Sequence, residues 1–130
     1  MDILNVLEKA TQINSVSGSE NEIRKFISDN VKKYCDELSV DAMGNLIAHK
    51  KGSGKKIMFA AHMDEIGIIV TDIDDKGFVR FSSVGGLNLR NLVNLRVRFA
   101  NGVEGVIGAE EESFKDKPAI SKLYVDLGAA

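Results

Sequence analysis

In the segment Ala61-His62-Met63-Asp64-Glu65-Ile66-Gly67 an imidazole stands two positions before a carboxylate, directly after an apolar run. Imidazole is a common ligand for zinc or cobalt, and a nearby carboxylate can orient the ring and raise its basicity. H-x-D alone carries little specificity. The same residues equally suit a partly buried histidine hydrogen-bonded near a turn.

Other candidates have weaker chemistry. Cys35 is the single cysteine, a helix thiol with no motif around it, which suits packing better than nucleophilic attack. His49 ends a strand pattern and reads as structural. The stretch Lys51-Gly52-Ser53-Gly54-Lys55-Lys56 lacks the first glycine of a phosphate loop and the Ser or Thr after its lysine. Asp72, Asp74 and Gly77 hint at a calcium loop, but Lys76 and Ser83 occupy positions that need oxygen ligands and a glutamate. Both are read as turns. Glu110-Glu111-Glu112 reads as a solvated charge run in a loop.

The elements that must position His62 follow from periodicity. Ile3, Val6, Leu7, Ala10 and Ile13 share one helical face, and Ser15 to Ser19 breaks that helix. Ser19 and Glu22 have capping-box spacing, so a second helix is expected near Glu20, with Ile23, Phe26, Ile27, Val31 and Tyr34 facing a sheet. Leu38 to Val40 and Leu46 to His49 flank Met43-Gly44-Asn45 as a hairpin. Ile57 to Ala61 is apolar without alternation, the pattern of a strand covered on both faces, and would display His62 at its carboxyl end. Ile66 to Asp72 and Gly77 to Ser83 form a second expected hairpin around Asp74-Asp75-Lys76-Gly77. Leu92 to Phe99, Val103 to Ile107 and Leu123 to Leu127 complete a β-only module, with a loop over residues 110–117.

Composition excludes several classes. The 130 residues are 44% hydrophobic and 28% charged, with a net charge of -2 and no tryptophan. That leaves neither a basic excess for phosphates nor a stacking platform, so no nucleic-acid partner is expected. Apolar runs are far shorter than the ~20 residues that span a bilayer, so no membrane segment is expected. A lone cysteine and the absence of a secretion-signal pattern point to a cytoplasmic location. The chain ends at Gly128-Ala129-Ala130 straight after an apolar strand, so further sequence is expected beyond it.

Taken in order, Ser17-Gly18-Ser19-Glu20, Asp41-Ala42-Met43-Gly44-Asn45-Leu46-Ile47, the AHMDEIG segment and Val84-Gly85-Gly86 resemble the tetrahedral aminopeptidases, also described as glutamyl or deblocking aminopeptidases. Some members carry an endoglucanase label. Gly105 to Gly108 and Leu123 to Ala129 also look like strands of the β domain that interrupts the family's peptidase domain.

The resemblance implies an α/β fold. Residues 1–81 would be the N-terminal part of a mixed-sheet metallopeptidase domain with helices on the sheet, and residues 82–130 part of a small inserted β-barrel-like oligomerisation domain. It implies that His62 is a ligand of one of two divalent metal ions, zinc or cobalt, and that Asp64 is the carboxylate supporting it. The remaining ligands and the catalytic glutamates of the family lie beyond the inserted domain. The region around Glu110 to Glu112 departs from the family's proline- and histidine-containing segment. Peptides with a free N-terminus would be substrates, and the full-length protein would form a homo-oligomer. A catalytic metal needs about three protein ligands, so these 130 residues alone are expected to bind metal weakly and to lack peptidase activity. The alternatives are a non-catalytic assembly or binding module of the same ancestry and, with no inferable carboxylate pair behind it, an endoglucanase.

Overall fold

Asp2 opens the first helix: its Oδ1 accepts the backbone N–H groups of Leu4 at 3.1 Å and Asn5 at 3.4 Å, two donors that have no partner inside the helix. A computed structural model describes residues 2–110 and 119–128. Helix α1 runs Ile3–Ala10, and the chain leaves it through turns in which Gln12 and Ile13 donate to Lys9 and Ala10. Helix α2 spans Asn21–Val31 and tightens into a 3-10 turn at Lys32–Tyr34. Its Ile23 is buried.

The expected Ser19–Glu22 capping box does not form. The residue preceding α2 is Glu20, with no side-chain cap. Ser19 is instead engaged in a turn, its N–H donating to Val16 O at 2.8 Å, while Glu20 Oε1 accepts the Gly18 N–H at 2.6 Å. A competing local turn has taken the groups that the box requires.

Strands β1, Glu37–Val40, and β2, Leu46–His49, pair antiparallel with Val40 opposite Leu46, as the hairpin pattern predicts. Asp41 Oδ1 accepts from Met43 N and Asn45 N, both at 2.9 Å, and Gly44 takes the positive φ of 87° that the turn demands. Arg24 of α2 donates from Nη1 to Gly44 O at 2.8 Å, tying helix to hairpin.

One strong expectation fails. Ile57 to Ala61 is not a strand, and its side chains are open to solvent, with Phe59 93% exposed. A buried strand needs neighbours on both edges for its N–H and C=O groups and cover on both faces. The strands among the described residues pair as β1 with β2 and as a separate five-stranded sheet, so neither sheet takes it in. His62 therefore follows a segment without regular secondary structure rather than a strand end.

The chain divides into two compact units, Met1–Glu65 and Ile66–Ala130. The second is an antiparallel sheet of order β3-β4-β7-β6-β5, comprising Gly67–Ile73, Val79–Val84, Arg96–Arg98, Glu104–Ala109 and Leu123–Asp126 as β3 to β7. The Asp74–Gly77 turn forms as expected, with Gly77 N donating to Asp74 O at 2.8 Å. Alternate residues Val79 and Phe81 of β4, Leu123 and Val125 of β7, with Ile107 and Leu92, make the core. The strand expected over Leu92 to Phe99 shrinks to Arg96–Arg98, because Asn94 adopts a left-handed φ of 69° and donates its N–H to Ile107 O at 2.8 Å.

Arg80 bridges Asp74 at 2.9 Å and Glu110 at 3.0 Å, and Lys122 reaches Glu110 at 3.0 Å. Glu110 is thus half-buried in an ion network and not part of a solvated run, as its loop position suggested. Glu111, Glu112 and the rest of that loop through Pro118 lie outside the described residues. Among the described residues no helix is long and apolar enough to cross a membrane.

Candidate functional site

The first unit closes on itself through a parallel bridge between Val16 and Glu65. Glu65 N donates to Ser15 O at 2.9 Å, Ser17 N donates to Glu65 O at 3.3 Å, and Glu65 Oε1 accepts the Ser15 N–H at 2.9 Å. Main chain and side chain of one residue therefore clamp the Ser15–Ser17 segment. Ser15 is buried within it. This clamp, not a strand end, fixes the position of the residues just before Glu65.

His62 and Asp64 are brought together. His62 Nδ1 lies 3.0 Å from the Asp64 carbonyl oxygen and 3.2 Å from Asp64 Oδ1. Both neighbours are acceptors, so Nδ1 carries a ring proton and donates it, and in the neutral ring the lone pair is then on Nε2. The second carboxylate oxygen, Asp64 Oδ2, accepts from the Ser17 hydroxyl at 2.5 Å. That hydroxyl is the largest influence holding the Asp64 carboxyl below the ordinary carboxylate range; burial opposes it, and the residue's own N–H and His62 add to it.

The imidazole is 86% exposed and sits at the edge of an apolar cavity of about 400 Å³. Val6 and Ala10 of α1, Phe26, Ile27 and Val31 of α2, and Tyr34 line that cavity with His62, Met63 and Glu65. A neutral imidazole whose Nδ1–H is already engaged has the donor chemistry of a metal ligand through Nε2. One such donor is a single coordination point. Among the described residues no group of three or more His, Cys, Asp or Glu is placed to hold an ion. The described residues fit part of a metal site and do not complete one.

His49 pairs with Glu37 at 3.3 Å on the β1–β2 hairpin, both side chains being exposed. Cys35 is half-buried, with its Sγ 3.7 Å from Lys32 O. Sequence reasoning missed Ser17 and Glu65 as parts of the site. It read the Ser15 to Ser19 segment as a helix breaker and Ser17 to Glu20 as a family motif without giving Ser17 a role, and the pairing across 47 residues leaves no local signal.

Comparison with known proteins follows the same path along the chain. The model of the family described as M42 glutamyl aminopeptidase matches residues 44–130. A protein of Acetivibrio thermocellus, designated an aminopeptidase by inference, is 54% identical over 130 residues, covering 98% of this chain and 39% of its own length. The Pyrococcus horikoshii TET1 peptidase, described as able to assemble into a tetrahedron or a large octahedral shell, superposes with a TM-score of 0.78 at 38% identity, over 98% of this chain and 41% of that one. A Thermotoga maritima structure named an endoglucanase superposes with a TM-score of 0.82 at 37% identity, over 95% of this chain and 38% of that one. The chain thus spans between 35% and 39% of the length of the curated relatives that it matches over more than nine-tenths of its own. With its AHMDEIG segment and its five-stranded sheet inside the matched region, the chain belongs to the M42 glutamyl aminopeptidase family.

Proposed function

We propose that this chain supplies the N-terminal part of a metal-dependent aminopeptidase that removes N-terminal residues from peptides. The observation that carries this reading is the His62–Asp64 pair, in which the Nδ1–H is held by two oxygens and Nε2 keeps its lone pair. His62 would hold a zinc or cobalt ion of a dinuclear centre through Nε2, and Asp64 would keep the ring in the coordinating tautomer. Bound divalent metals supply Lewis-acid polarisation and a water of lowered pKa in such enzymes. The protein's own part here is orientation: the Glu65 clamp fixes the loop, and the loop fixes the ring.

The remaining metal ligands and the glutamate that takes the proton from water belong to sequence beyond these residues. For that reason the 130 residues alone are expected to bind zinc weakly and to show no turnover. The same missing sequence would pair with Ile57 to Ala61 and cover its apolar side chains. On this reading the unit ending at Glu65 belongs to the peptidase domain, and the β-sheet unit from Ile66, whose strand β4 a boundary at 81/82 would cut, belongs to an inserted barrel-like domain through which the full-length protein assembles into a homo-oligomer in the cytoplasm. The described assemblies of the Pyrococcus horikoshii relative support the last point.

An endoglucanase reading has a name on a similar structure behind it. Glycoside hydrolysis needs two carboxylates free to face a sugar, whereas Asp64 is committed to Ser17 and His62 and Glu65 to Ser15. The deciding experiment assays the polypeptide that carries this chain at the length of its relatives for cobalt- or zinc-stimulated release of N-terminal amino acids, with His62→Ala beside it. Loss of activity by a factor of about 100 or more in the variant is expected for a lost metal ligand. Full activity in His62→Ala would refute the ligand role.

A further inference from the structure

We propose that Ser17 is a positioning residue for His62: through its hydroxyl it fixes the Asp64 carboxylate, and thereby locks the imidazole as the Nδ1–H tautomer with Nε2 presented outward. Its functional meaning rests on the reading of His62 as a metal ligand, but the geometry stands without it.

A carboxylate on an open loop turns freely about two side-chain bonds and, left to solvent, does not hold a neighbouring ring in one tautomer. Asp64 is 39% exposed and would be in that condition without a second anchor. Ser17 provides the anchor: with Oδ2 held at 2.5 Å, Oδ1 is left at 3.2 Å from His62 Nδ1. Ser17 is itself immobilised from both sides. Its N–H donates to Glu65 O, the preceding Ser15 is held by Glu65 on two hydrogen bonds, and a turn closed by Ser19 N on Val16 O follows it. The relay therefore runs from the Glu65 clamp to the Ser17 hydroxyl, to the Asp64 carboxylate, and to the ring. A hydroxyl is the part that matters, so threonine should serve and alanine should not.

The test uses the chain labelled with 15N-histidine in a His49→Gln background, which leaves His62 as the one histidine because the sequence has 2. Ring nitrogen shifts are read near pH 8, above the ordinary imidazole pKa of about 6.5. In the parent and in Ser17→Thr, Nδ1 should be pyrrole-like and Nε2 pyridine-like. In Ser17→Ala both should move part of the way toward the averaged values that the ring shows in the urea-unfolded chain, with the Asp64 carbonyl oxygen at 3.0 Å left as the remaining acceptor of Nδ1. Retention of the parent shifts in Ser17→Ala, or averaged shifts in the parent, overturns the proposal. If Ser17→Ala disturbs the amide signals of Ser15 and Glu65, Asp64→Ala removes the same relay while sparing the clamp, and a ring still locked there also overturns it. Zinc titration of the same samples separates this inference from the ligand reading: Ser17→Ala should weaken the zinc-induced shift of Nε2 about tenfold in affinity. An Nε2 signal that zinc does not move in the parent refutes His62 as a ligand, and the tautomer result still decides the role of Ser17.

Discussion

The carboxylate of Glu65 accepts the backbone N–H of Ser15 at 2.9 Å across 50 positions of sequence, and the Glu65 main chain pairs with the same residue. This double hold explains why a loop with no regular strand presents His62 in one place. Ser15 is buried, so its N–H has little access to water when the carboxylate is removed. Glu65→Ala should destabilise the segment by about 1 kcal/mol, the typical cost of such a bond. Hydrogen exchange at the Ser15 amide reads this directly: exchange should accelerate in the variant, and an unchanged rate would show that the side chain does not shield it.

The ion network of the β-sheet unit predicts a pH dependence. At Asp74 burial works against ionisation, but the Phe78 and Lys76 N–H groups and Arg80 outweigh it and hold the carboxyl below its ordinary range. Lys122, and after it Arg80, do the same for Glu110. A carboxyl whose folded pKa is depressed contributes stability that is complete above its ordinary pKa of about 4 and disappears as pH falls through the folded value. Arg80→Met brings both groups back toward ordinary behaviour. Thermal melts should therefore show the variant less stable than the parent at neutral pH, with the gap closing in strong acid; a gap that persists unchanged at low pH would assign the effect to lost packing instead.

Gly105 lies in β6 against the paired strand β7. A Cβ there would fall on Val125 Cγ1 and stand 2.9 Å from the Asp126 carbonyl oxygen. Val125 is fully buried and the carbonyl belongs to a paired strand, so neither can withdraw. Gly105→Ala should cost about 1–3 kcal/mol by overpacking, read as a lower urea midpoint. An unshifted midpoint would mean that β6 and β7 separate at no cost.

The exposed run Ile57, Met58 and Phe59 predicts a surface property of this chain. Contiguous apolar side chains with unpaired backbone groups bind hydrophobic dyes and promote self-association. Phe59→Lys should lower anilinonaphthalene sulfonate fluorescence and reduce sedimentation of aggregates, without changing the amide spectrum of the β-sheet unit. Equal dye binding in the variant would place the sticky surface elsewhere.

Much of the local structure was legible beforehand. The α1 and α2 stripes, the Asp41–Asn45 and Asp74–Gly77 turns and the β6 and β7 strands all follow from periods and turn chemistry contained in a few consecutive residues. The failures have a common cause. Ile57 to Ala61 has the composition of a covered strand, but composition cannot supply the neighbouring strands that its backbone needs. Ser19 and Glu22 had the spacing of a cap, but the turn at Gly18 claimed Ser19 first. Glu110 sat in an acidic stretch, yet among the described residues it is held by cationic partners from β4 and the turn before β7.

By itself the sequence determined the pairing of an imidazole with a carboxylate two residues away, the succession of helices, hairpins and β-sheet, and the family to which these motifs are similar, because each is encoded within a short span. Only the tertiary structure decided which ring nitrogen carries the proton, that Ser17 and Glu65 stand behind His62, and that the run before it lies open. Those properties depend on hydrogen bonds between segments about fifty residues apart, and the geometry of such contacts is set by folding, not by neighbours along the chain.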